Sequence, residues 1–195
     1  MEKLFKNKFR SDSIRLQTWN YSKPGWYFVT ICTKHHQHFF GEIHRENFKP
    51  SNIGNIAKLF WQNIPKHFSF IELDYYVFMP NHCHGILIND DHSRDIASAE
   101  KAIESNVSTA NYANRMSEIS PKKYSLSSVI RSYKASVTKW CRNNGYPEFA
   151  WQPRFFERII RNEKELYNIR KYIEQNPLKW EIEKNHPENI NFDNV

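Results

Sequence analysis

The sequence has no apolar run of about 18 residues, so a transmembrane helix is not expected. Met1 to Arg10 is basic but lacks the apolar stretch of a secretory signal. Cysteine is scarce: Cys32, Cys83 and Cys141 are scattered, odd in number and without knuckle spacing. That pattern argues against a disulfide framework and a cysteine metal knuckle, and fits a reducing cytoplasm. What is abundant is aromatic and basic. Aromatics make up 15% of 195 residues, enough for one domain with a real core and flat stacking surfaces.

The net charge is +7, and it is not spread evenly. From Pro121 to Lys184 there are 14 Lys/Arg against 7 Asp/Glu, whereas the rest of the chain balances at 14 against 14. Concentrated positive charge with interleaved aromatics suggests a polyanionic partner, most often nucleic acid. The plain alternative is a basic surface with no partner.

Residues 1–25 read as a polar N-terminal arm ending in the turn Ser22-Lys23-Pro24-Gly25. Trp26 to Thr33 is β-branched and aromatic, a central strand. His35, His36 and His38 follow; they have the look of a metal cluster, but their place at a strand end suits a polar turn better. Phe39 to Phe48 suggests a short hairpin. Ser51 or Asn52 caps a helix to about His67, with Ile53, Ile56, Ala57, Phe60, Trp61 and Ile64 on one face and Pro65 as a stop. Ile71–Phe78 and Cys83–Ile88 form an antiparallel pair around Met79-Pro80-Asn81-His82.

Asn89 to Tyr124 is rich in Asp, Ser, Ala and Asn and reads as a loop insertion. Ser125 caps a helix to about Asn143, stopped by Gly145. Leu126, Val129, Ile130, Tyr133, Val137 and Trp140 form its buried side. Arg131, Lys134 and Lys139, with serines, lie on the outer side and suit phosphate contacts, although a plain solvated face has the same spacing. Trp151 to Arg161 reads as a last strand carrying Arg154 and Arg158 as further DNA-contact candidates. A final helix starts at Asn162, with Glu165 as a capping-box variant, Leu166, Ile169 and Ile173 inside, and Pro177 as its end. The tail, 185–195, is polar. The order gives an α+β class: a ferredoxin-like βαββαβ antiparallel sheet with helices on one side and one added C-terminal helix.

His82 and His84 are two apart on a strand, so both imidazoles point to one face and can reach one metal ion. The same spacing also describes two polar residues on a wet strand face. Tyr172 and Asn176 are four apart on the late helix and share a face. Tyr133 looks like core, and Tyr167 lies about half a turn off the Tyr172 face.

Four stretches resemble the single-tyrosine HUH transposases, and more narrowly the REP-associated tyrosine transposases. They are Trp26-Tyr27-Phe28-Val29-Thr30, Met79-Pro80-Asn81-His82-Cys83-His84, Trp151 to Ile160, and Tyr172-Ile173-Glu174-Gln175-Asn176-Pro177. Cys83 stands where the family more often has a larger hydrophobic residue, and the 89–124 insertion is a larger departure. The resemblance implies a transposase domain over 26–184 that cleaves and rejoins single-stranded, hairpin-associated DNA. Tyr172 would be the nucleophile that becomes linked to a 5′ phosphate. His82, His84 and Asn176 would hold a divalent ion, Mg²⁺ or Mn²⁺. It further implies a bacterial cytoplasmic protein, associated with the nucleoid through DNA, acting as monomer or homodimer with no membrane partner. Two rival readings are a catalytically silent DNA-binding module and a metal-dependent phosphodiesterase in which Tyr172 is only structural.

Overall fold

The computed structural model describes residues 4–5, 8–9, 19–44, 47–90 and 124–180. Residues 91–123 of the 89–124 insertion and the 185–195 tail fall outside these residues. Two short strands, β1 (Leu4–Phe5) and β2 (Lys8–Phe9), pair with each other in the arm. The centre of the molecule is a four-stranded antiparallel sheet made of β3 (Gly25–Cys32), β6 (Ile71–Met79), β7 (His82–Asn89) and β8 (Phe156–Ile160). Its order is β6-β7-β3-β8, so β3 and β7 are central and β6 and β8 are edges. This is the order of two interlocked split βαβ units, the ferredoxin-like arrangement.

Two helices, α1 (Asn52–Gln62) and α3 (Leu126–Asn143), cover one face. Strand alternation sends Tyr27, Val29 and Ile31 of β3 and Cys83 and Leu87 of β7 into that core, against Ala57 and Trp61 of α1 and Val129, Ile130 and Val137 of α3. Ser51 caps α1 by accepting from the Gly54 amide, and Ser125 caps α3 by accepting from the Ser128 amide. Tyr133 is core as expected, donating to the Ala57 carbonyl at 3.2 Å. Gly85 permits close packing here: a Cβ there would lie 2.3 Å from the Trp61 ring.

The last helix, α4 (Glu163–Lys179), lies on the opposite face. Phe28 and Ile86, the intervening residues of the two central strands, meet its Ile169, Tyr172 and Ile173 in a second, smaller core. The sheet is thus buried on both sides, and α4 is a separate layer.

Several element ends differ from the sequence expectation. The first helix breaks at Asn63, and Pro65 sits near the start of a one-turn α2 (Ile64–His67) instead of ending a longer helix. The last strand is shorter: Trp151 makes only a single bridge to Thr33, and pairing with β3 begins at Phe156. Pro177 lies inside α4, which runs to Lys179. Proline removes one donor there, but the helix continues, and past its end the Trp180 amide donates to the Asn176 carbonyl at 3.0 Å. The hairpin is present as β4 (Gly41–His44) and β5 (Asn47–Pro50). The Lys34–His36 segment is a 3₁₀ turn in which His35 and His36 take left-handed backbone angles.

Candidate active site

The β6–β7 turn is only Pro80-Asn81, and it is tightly bound to the rest of the fold. The Phe40 amide donates to the Pro80 carbonyl at 2.9 Å, and the Thr33 amide and hydroxyl both donate to the Asn81 carbonyl, at 2.8 and 3.0 Å. A turn fixed at three points sets the start of β7 and hence its first residue, His82. The register then places His82 opposite Cys32 and His84 opposite Thr30.

Both histidines are buried, at 2% and 0% exposure, which rules out the wet-strand alternative. Each imidazole is held through Nδ1. For His82 the partner is the Asn81 Oδ1, at 2.7 Å, and for His84 it is the Thr30 hydroxyl, at 2.8 Å. With both Nδ1 positions so engaged, the two Nε2 atoms face one another at 3.1 Å. Burial, followed by the neighbouring His84 and His36, holds His82 well below its ordinary range, and burial alone brings His84 down to about 3. Both rings are therefore neutral at physiological pH, the form that ligates metal.

Helix α4 adds the third group. Asn162 caps it by accepting from the Glu165 amide. The Glu165 carboxylate does not complete a standard capping box; it accepts from the Arg161 amide at 2.9 Å and from Arg158 Nε at 2.5 Å. From this start the helix lays Tyr172 on the sheet, with its hydroxyl 3.2 Å from His84 Nε2. The Tyr172 ring meets Phe28 edge-on with centroids 6.2 Å apart, and Phe28 stacks on His84 at 5.4 Å. Asn176 is buried one turn further on the same helix. Tyr172, His82 and His84 thus converge within one chain. Tyr167, by contrast, is 65% exposed.

The basic residues singled out in the sequence separate into two groups. Arg131, Lys139 and Arg154 are exposed. Lys134 is engaged within the fold: its ammonium donates to the carbonyls of Gln152 and Arg154 at 2.7 and 2.9 Å and lies 5.7 Å from the Trp151 ring centre. Burial lowers its pKa to about 8. Arg158 is ion-paired with Glu165.

Three residues at the site have no role assigned to them from the sequence. Thr30 and Asn81 lie within the stretches that carry the resemblance, but their role in orienting the histidines comes from cross-strand register for Thr30 and from the turn for Asn81. Trp180 places its indole between His82 and His38, with ring centres 5.7 Å from each.

Among the described residues, no cluster of three or more His, Cys, Asp or Glu side chains could hold a metal ion. The set here is two histidines, with the Asn176 amide on the adjoining helix. Also among the described residues, no helix is long and apolar enough to cross a membrane.

No family model matches the chain. An uncharacterized protein of Haemophilus influenzae is 36% identical over 169 residues, which cover 87% of this chain and 89% of the relative. Among solved structures, a REP-associated tyrosine transposase bound to a REP hairpin matches with a TM-score of 0.55 at 20% identity, over 87% of this chain and 74% of that one. A Deinococcus radiodurans R1 chain described as a transposase matches with a TM-score of 0.37 at 14% identity.

Proposed function

From a chain that belongs to one family with the Haemophilus influenzae protein and has the fold of a REP-associated tyrosine transposase, we propose a tyrosine-dependent DNA strand nuclease and transferase. It is a single-tyrosine HUH transposase in this reading, and its substrate is single-stranded DNA next to a hairpin. The observation that carries it is the Tyr172 hydroxyl 3.2 Å from His84 Nε2, itself 3.1 Å from His82 Nε2, all in one chain.

The histidine pair fits a divalent ion. Two nitrogens each about 2.1 Å from a common ion lie roughly 3 Å apart when they occupy neighbouring positions around it, and the two Nε2 atoms are 3.1 Å apart. The Asn81 Oδ1 accepts from His82 Nδ1 and so leaves the His82 Nε2 lone pair available, and the Thr30 hydroxyl, by accepting from His84 Nδ1, would do the same for His84. His82 and His84 would hold the ion, and Asn176 would add a carbonyl oxygen; the mixed nitrogen and oxygen set suits Mn²⁺ as well as Mg²⁺. When bound, the ion neutralises charge on a nonbridging phosphate oxygen.

The phenol of Tyr172 does the covalent work. Its oxygen attacks phosphorus, the bond to the 3′ oxygen breaks, and the phenol proton ends on that oxygen as a free 3′ hydroxyl. The product is a 5′-phosphotyrosine. Because the phosphodiester energy is retained, a second 3′ hydroxyl can reverse the step and join a new strand without ATP. Phe28 and the α4 packing around it hold the phenol in place, so little freedom is lost on reaching the attack geometry. Exposed Arg131, Lys139 and Arg154 supply backbone contacts for DNA.

The test is incubation with a panel of hairpin DNAs bearing single-stranded flanks, plus Mn²⁺. Wild type forms a denaturation-resistant protein–DNA adduct; Tyr172→Phe binds DNA but forms none. Unchanged cleavage by Tyr172→Phe would instead point to a metal-dependent phosphodiesterase, and DNA binding without cleavage by wild type to a silent module.

A further inference from the structure

Helix α4 touches the sheet as a layer that the main core does not contain, so something must set its direction. At its first turn, Glu165 is paired with Arg158 of edge strand β8. Five residues on, Arg170 forms a two-bonded ion pair with Asp74 of the opposite edge strand, β6: Nε to Oδ2 at 2.8 Å and Nη2 to Oδ1 at 3.1 Å. The Arg170 guanidinium lies 5.6 Å from the Trp26 ring centre and 5.3 Å from that of Tyr75. Two anchors on opposite edges hold α4 as a beam across β3 and β7, and Tyr172 follows Arg170 by two residues.

The partner strand is shaped for this. The β6–β7 register slips between Leu73 and Tyr76, so one extra residue is present on β6. Leu73 and Tyr76 both pack with the α1–α3 core, while Asp74 and Tyr75 both meet Arg170 on the α4 side. Strict alternation would put Leu73 and Tyr75 on one face and leave the carboxylate without its flanking ring. The bulge is what brings a carboxylate and an aromatic ring to the same guanidinium.

The geometry points to Arg170, with Asp74 on its bulge, as the positioning pair that fixes α4 on the sheet and so delivers Tyr172 to His84 in the same chain. This rests on the nucleophile reading above and deepens it. A planar fork bound through two bonds fixes direction as well as distance, which a lysine cannot do.

The experiment uses the full chain and three variants: Asp74→Asn, which keeps shape, Arg170→Lys, which keeps charge, and Arg170→Ala. Two readouts are taken: amide exchange along 163–179 relative to α1 and α3, and the rate of adduct formation with hairpin DNA and Mn²⁺ beside DNA affinity. Each variant is expected to exchange faster in α4 alone. Adduct formation slows roughly 10–100-fold, the scale of a misplacement of about 1 Å, with DNA affinity kept. Arg170→Lys should lose nearly as much as Arg170→Ala, since the fork and not the charge is the device. Unchanged α4 exchange and unchanged adduct rates in Asp74→Asn and Arg170→Ala would overturn the inference. Faster α4 exchange, with wild type forming no adduct on any hairpin, would leave the pair as the device that fixes α4 and overturn the nucleophile reading instead.

Discussion

At the scale of single residues, the site depends on two imidazoles kept neutral and aimed by their outer nitrogens. The His82/His84 spacing was legible because a strand has a two-residue period. The role of Thr30 was not, because a cross-strand partner is assigned by register, which the linear sequence does not display; that of Asn81 depends on the turn that aims its side chain back at His82. Replacing Thr30 with Val keeps the volume and removes the hydroxyl held at 2.8 Å from His84 Nδ1. Mn²⁺ affinity, followed by calorimetric titration, is expected to fall about 10–100-fold, the usual cost of losing such a partner. The low histidine pKa values also set a pH dependence. Below about pH 6.5 the unfolded histidines bind protons that the folded ones do not, so the metal-free protein loses stability as pH falls. The loss continues until the folded rings protonate, about pH 3 for His84. Its slope is at most about 1.4 kcal/mol per pH unit for each histidine. Thermal unfolding between pH 4 and 7, compared with His84→Gln, checks this; the variant should show a shallower decline.

At the scale of elements, the helices and central strands were readable because their apolar periods are long and their caps are strong: Ser51, Ser125 and Asn162 all cap as their sequence context suggests. The ends were less readable. Pro177 reads as a stop in the sequence, yet in the last turn of a helix the missing amide costs only one intrahelical bond and the chain carries on. The β6 bulge was invisible, since one extra residue looks the same in sequence as regular alternation. Gly85 is a test of how tightly these elements meet. Trp61 is fully buried and has no room to retreat from a Cβ placed 2.3 Å away, so Gly85→Ala is expected to cost about 1–3 kcal/mol in denaturant unfolding. The same clash would tilt β7, so adduct formation should fall with stability. At the start of α4, Asn162→Ala removes the cap on the Glu165 amide and should cost about 1 kcal/mol.

At the scale of the whole molecule, one chain brings Tyr172 to His84. If that arrangement is the working one, mixing His84→Gln protein with Tyr172→Phe protein should not restore the adduct; restoration would mean that the nucleophile is exchanged between copies. Charge acts over the same scale. DNA affinity should fall steeply with salt, and removing exposed Arg131 or Lys139 should each lower the log–log slope by about 1. Lys134→Ala should behave differently, loosening the 151–154 segment that its ammonium holds. The separateness of α4 has one more consequence, in the order of synthesis. The ribosome adds His84 a full 88 residues before it adds Tyr172. A nascent or prematurely ended chain can therefore carry the histidine pair while lacking both Asn176 and the proposed nucleophile. The proposed cutting activity would be conferred last, by the helix that closes the second face.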